Sequence, residues 1–314
     1  MISYDLLNDK LFKYLEGAQI EDLYFLKSLN EIILKNPFNR NLLKYNEKMG
    51  LDHTASLAYT FFKYLSDEYA SYFEKRLNDG TILFSYCYPN GQSYYDNVND
   101  KRVIEIPITN TIEDAFVLVH ETLHDMNLIP HIASECRMLY TETISMLGEI
   151  LFEDFLIKYH LHEKDNKSVI HNSFVYVSSM AESNDFDMKL MSEFISNGYV
   201  NTSFFKDLCL KYDEDIVDNT LTYLINNSSL EFDINQRYII GCLFSCYMHD
   251  RIKDNPKYLC EFIETNSMMT DVFFEDLINY LDLSIIEEDE ENLLFTSNSL
   301  EKLEKCYKKE IKNR

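Results

Sequence analysis

The 314-residue sequence contains no tryptophan, so its core and any cleft must be built from one-ring aromatics, of which there are 23 Tyr and 21 Phe. It has no apolar run near the roughly 18–20 residues that cross a bilayer. Met1 to Lys13 interleaves Asp5, Asp9, Lys10 and Lys13 with its apolar positions, so neither membrane insertion nor a secretory signal is expected. Basic residues are scarce, 29 against 53 acidic, and the net charge of -24 repels phosphate backbones and excludes nucleic acid as a partner class. Paired Cys-x-x-Cys knuckles are missing as well. Cys87, Cys136, Cys209, Cys242, Cys246, Cys260 and Cys306 are scattered and odd in number, which fits reduced thiols and a cytoplasmic location.

No internal repeat or low-complexity linker divides the chain. The pattern predicts one compact domain over 1–314, mainly α with a small antiparallel β-sheet and helices around a cleft. Residues 1–79 read as helices, including one carrying Ala58, Phe61, Phe62, Leu65, Tyr69 and Phe73 and ending near Gly80. Within 80–160, Thr81–Tyr88 and Arg102–Ile108 are β-branched and aromatic and read as antiparallel strands either side of a turn-rich segment. Pro107 marks the second as an edge or a strand end. A long helix is expected from about 134 to 159. Residues 161–314 read as helices near 186–197, 213–225, 233–253, 256–265, 270–281 and 298–312, with an acidic loop at Glu287–Glu291.

The chemistry concentrates in Val119-His120-Glu121-Thr122-Leu123-His124. Two imidazoles four residues apart with a carboxylate beside the first form the His-Glu-x-x-His pattern of a zinc hydrolase, expected by chance about 0.02 times in such a chain. Ile112, Ala115, Phe116, Val119 and Leu123 recur at helical spacing after Thr111, an N-cap candidate with an acidic residue three positions later. On a helix, His120 and His124 share one face and can reach one Zn²⁺, and Glu121 stands beside the open position as general base.

A catalytic zinc needs a third protein ligand. The metzincin pattern would want Gly and His where Asn127 and Pro130 stand, with His131 displaced by one, so a glutamate on the next helix is expected instead. Glu135, Glu142 and Glu149 are each seven apart and nearly share a face, and spacing alone does not choose among them. Tyr140-Thr-Glu142-Thr-Ile-Ser145-Met-Leu-Gly-Glu149 resembles the Glu-x-x-Ser-x-x-x-Glu signature of oligoendopeptidase F and the thimet-type oligopeptidases, and Tyr238-Ile-Ile-Gly241 is similar to their late Tyr-x-x-Gly helix.

That resemblance implies a compact, zincin-like peptidase for oligopeptides, with one Zn²⁺ held by His120, His124 and Glu142. It also implies Glu121 as catalytic base, Glu149 as a supporting carboxylate and Tyr238 as the donor to the oxyanion. The sequence departs from the family at Leu123, where glycine is usual, and in the short gap from His124 to Glu142. Two alternatives stand beside this reading: an effector-type protease acting on an intact protein, and a catalytically inactive zinc-binding or partner-binding protein. His53, His131, His160, His162, His171 and His249 have no motif around them and read as structural, with His171 and His249 the two expected nearest a cleft.

Overall fold

The computed structural model describes the backbone of residues 3–16, 20–128, 135–162, 165–227, 230, 232–268, 285–289, 292–295 and 297–314. Helices dominate them. The N-terminal helices are α1 (Tyr4–Leu15), α2 (Ile20–Lys35), α3 (Leu51–Leu65) and α4 (Asp67–Asn78). The aromatic stripe expected on one helix is divided between α3 and α4. Ser66 is extended and its hydroxyl accepts from Tyr69 N–H, so it caps α4 while the apolar spacing runs on in phase.

Next comes a three-stranded sheet of β1 (Ile82–Ser85), β2 (Gln92–Asp96) and β3 (Lys101–Pro107), in the order β1-β3-β2. It is mixed, not antiparallel. β1 runs parallel to β3 with Ile82 opposite Ile104, whereas the antiparallel partner is β2, with Gln92 opposite Glu105. Asp96 makes the difference: its carboxylate accepts from Val98 N–H and Asn99 N–H, which closes a hairpin inside the segment expected to be only turn. Pro107 is the last residue of the central strand, so it costs no ladder bond.

Then follow α5 (Glu113–Asn127), α6 (Glu135–Lys158), α7 (Asn166–Asn197), α8 (Thr202–Cys209), α9 (Glu214–Asn227), α10 (Phe232–Ile252), α11 (Tyr258–Met268), a β4–β5 hairpin (Ile285–Asp289, Asn292–Phe295) and α12 (Ser297–Asn313). The acidic stretch expected as loop thus contributes Glu287 to Asp289 to a strand. The helix expected over 270–281 lies outside the described residues.

α6 is the central helix, packed against α5, α7 and α10. Phe152 of α6 meets Phe61 of α3 and Phe116 of α5 at ring separations of 5.1 and 4.9 Å, joining three helices through fully buried rings. Each such ring contributes roughly 1.5–3 kcal/mol of burial. A second cluster gathers Leu7 and Leu11 of α1, Phe186 and Leu190 of α7, Phe205 and Leu224. Between α2 and α3, residues 37–50 run without regular structure, yet α7 and the residue before it pair part of their backbone. Ser178 accepts from Phe38 N–H, Asn172 brackets Leu43 through its N–H and C=O, and Asp165 accepts from Asn46 and Glu47 N–H.

Candidate metal centre

α5 starts where the acidic residue three after Thr111 reaches backwards. The Asp114 carboxylate accepts from Thr109 N–H and Asn110 N–H, each at 2.9 Å, while Thr111 Oγ1 accepts from Glu113 N–H. That lock sets the helical phase, and one turn apart the His120 and His124 Nε2 atoms stand 3.0 Å from each other. Glu142 comes from α6: its Oε2 lies 3.4 Å from His120 Nε2 and 3.5 Å from His124 Nε2. One donor atom from each residue falls within 4.8 Å of the others, the one such group among the described residues.

Two glycines permit this approach. A methyl on Gly241 of α10 would stand 2.7 Å from Glu142 Cβ, and one on Gly148 of α6 would stand 2.0 Å from Leu123 Cδ1. Leu123 is fully buried against α6. The bulk that this chain carries before its second histidine is therefore received by a missing side chain on the neighbouring helix.

The electrostatics are those of a tight acid–imidazole cluster. Burial alone would raise the Glu142 carboxyl, but His124 and His120 outweigh it and hold the group well below the carboxylate range. Burial would lower His120, yet Glu149 and Glu142 drive it well above its ordinary value. His120 Nδ1 is 2.5 Å from Glu149 Oε1, so Glu149 sits on the side of the ring away from Glu142 and His124 and is not a third member of the converging set. The side chain of Glu135 lies outside the described residues, as does His131. Glu121 is 7% exposed and makes no ion pair in the cluster; burial pushes its carboxyl up, with the two imidazoles pulling it partly back.

Tyr238 lies on α10 one turn before Gly241 and so on the face turned to α6. The Glu142 carboxylate, then burial, raises its phenol. β2 is an edge strand, and the backbone just before it at Gly91 lies against Glu121, where an added methyl would be 2.8 Å from Oε1.

The donor set fits a zinc ion. Two neutral imidazole nitrogens and a carboxylate oxygen are the ligand types of a catalytic zinc, and Glu142 Oε2 is buried without a hydrogen-bond partner although it faces both rings.

One residue of consequence has no motif. Asp125, fully buried, follows His124 in the last turn of α5, where the helix dipole disfavours an anion. Arg76 Nε and Arg102 Nη1 donate to its carboxylate at 3.0 and 3.1 Å, and Tyr72 Oη donates at 2.6 Å. Arg102 also donates to the carbonyls of Asp125 and Leu128, which ties the end of α5 to α4 and β3. The sequence signal was the misplaced charge itself. His171 and His249 do not approach the centre: His171 Nε2 contacts Asn41 O, and His249 lies between Asp154 and Glu310.

No protein-family model matches the sequence, and no curated protein matches it. Solved structures do. PZ peptidase A bound to an inhibitor superposes with a TM-score of 0.62 at 12% identity over 95% of this chain and 59% of that one. A structure described as a peptidase from Chlamydophila abortus gives 0.57 at 14% identity over 100% and 55%. One described as oligoendopeptidase F from Bacillus anthracis gives 0.54 at 14% over 100% and 57%. The chain therefore resembles the oligoendopeptidase F and PZ peptidase group in fold, and spans a little over half the length of these neighbours.

Proposed function

We propose that this chain, in one zincin-like unit, is a zinc-dependent peptidase that hydrolyses peptide bonds in oligopeptides. One observation carries the reading: a buried carboxylate oxygen of Glu142 with no hydrogen bond faces two imidazole nitrogens, and a second buried carboxylate, Glu121, stands on the same helix beside them. His120, His124 and Glu142 would hold one Zn²⁺, which when bound polarises a carbonyl and acidifies a water.

The remaining work belongs to the side chains. Glu121, its carboxyl raised by burial, takes the proton of the attacking water and returns it to the leaving amine. Glu149 accepts from His120 Nδ1–H, which fixes the tautomer and leaves the Nε2 lone pair free. Tyr238 retains its proton and donates to the oxyanion of the tetrahedral species. The free edge of β2, reached from Gly91 beside Glu121, offers backbone N–H and C=O groups to an extended peptide.

Glu121→Gln is expected to lower kcat on a fluorogenic peptide by about 10²- to 10⁴-fold with zinc content unchanged. Hydrolysis at the wild-type rate by zinc-loaded variant would remove Glu121 as the base. Glu142→Ala is expected to lose zinc on dialysis, as measured by atomic emission; full retention would assign the third ligand elsewhere.

A further inference from the structure

The pattern of the centre recurs about other residues. His53 Nε2, in the first turn of α3, stands 3.0 Å from His162 Nε2, in the connection between α6 and α7. The far nitrogen of that second ring, His162 Nδ1, lies 2.8 Å from Glu47 Oε2. At the main site the same two relations hold: two Nε2 atoms 3.0 Å apart and a carboxylate on Nδ1 of one ring. The rings are similarly disposed, with centroids 5.2 Å apart and planes at 59° here, against 4.6 Å and 74° there. Two nitrogens bound to one tetrahedral zinc are about 3.3 Å apart, so either pair reaches that separation by a shift of about 0.3 Å.

The groups are held by backbone. His162 has a left-handed φ of 49°, stabilised where its carbonyl accepts from Asp165 and Asn166 N–H. Asp165 accepts from Glu47 N–H at 2.7 Å, which places the Glu47 carboxylate beside His162. A carboxylate on Nδ1 orients a ligating histidine and directs its Nε2 lone pair outward. His53 is exposed, so water can complete the coordination.

We propose that His53 and His162, oriented by Glu47, form a second binding site for a borderline divalent transition-metal ion such as Zn²⁺. An ion there bridges residues 109 apart in the chain and staples α3 to the α6–α7 connection. It would act on stability, not on chemistry, because it has two protein ligands and no base beside it.

Zinc bound per chain after equilibrium dialysis of the full-length protein tests this. His53→Gln, a change at an exposed position, is expected to bind one ion fewer than the wild type, and Glu47→Gln to hold that ion roughly 10- to 100-fold more weakly. Glu142→Ala is expected to lose the other ion and keep this one, so failure of the peptidase reading leaves the difference between wild type and His53→Gln intact. Equal zinc content in the wild type and the His53→Gln/His162→Gln double variant would overturn the proposal and leave a hydrogen-bonded imidazole pair.

Discussion

His249 is a histidine buried among acids: Nε2 is 2.6 Å from Asp154 Oδ2 and Nδ1 is 3.1 Å from Glu310 Oε1, while Arg314 joins Glu310 and Glu153 in the same network. Burial would lower its pKa, but Asp154 and Glu310 raise it to about 9. Because the folded value lies above the unfolded one of about 6.5, the charged ring stabilises the fold fully below pH 6.5 and ceases to do so as pH rises through 9. The contribution is at most about 3 kcal/mol. Urea unfolding is expected to show stability falling between pH 6.5 and 9.5 in the wild type, with His249→Gln less stable at pH 6 and shallower over that range, the raised His120 supplying the slope that remains. An unchanged slope in the variant would locate the effect elsewhere. At this scale the sequence was most legible where spacing and chemistry coincide, as in His120, Glu121 and His124. It was least legible for Asp125, whose two arginines arrive from α4 and β3 and share no local pattern with it.

Between elements, the distance from α5 to α6 depends on Leu123 filling the space over Gly148. Gly148→Ala is expected to destabilise by about 1–3 kcal/mol through overpacking, and Leu123→Ala by about 2–5 kcal/mol through the cavity it leaves. The double variant should cost clearly less than the sum, because the new methyl occupies part of the vacated space. Thermal or urea unfolding of the four proteins decides it, and strict additivity would refute the contact. Helix α5 was readable because its apolar positions keep one period, and α6 because its glutamates do. The first half of α7 was not: Asn172 and Ser178 face inward to bind residues 37–50, and such buried polar positions interrupt the apolar period. Strand direction was equally hidden, since two β-branched runs carry no mark of whether a third strand lies outside or between them.

Taken as a whole, the molecule carries a net charge of -24, which bears on encounter more than on fold. For the proposed peptidase, kcat/KM on a cationic peptide is expected to fall several-fold as ionic strength rises from about 10 to 150 mM, and on an isomeric anionic peptide to rise. Salt-independent rates for both would mean that the field at the site is not that of the whole surface. The two helices that carry the candidate ligands also lie close along the chain. His120 and Glu142 are 22 residues apart on consecutive elements, whereas Tyr238 arrives 96 residues after Glu142. The cost of closing a loop grows with its length, so His120, His124 and Glu142 can be brought together at a smaller entropic cost than Tyr238, the proposed oxyanion donor, which depends on the docking of α10. On the proposed reading, holding a metal would be a local property of two neighbouring helices, and using it would wait on a contact made across most of the fold.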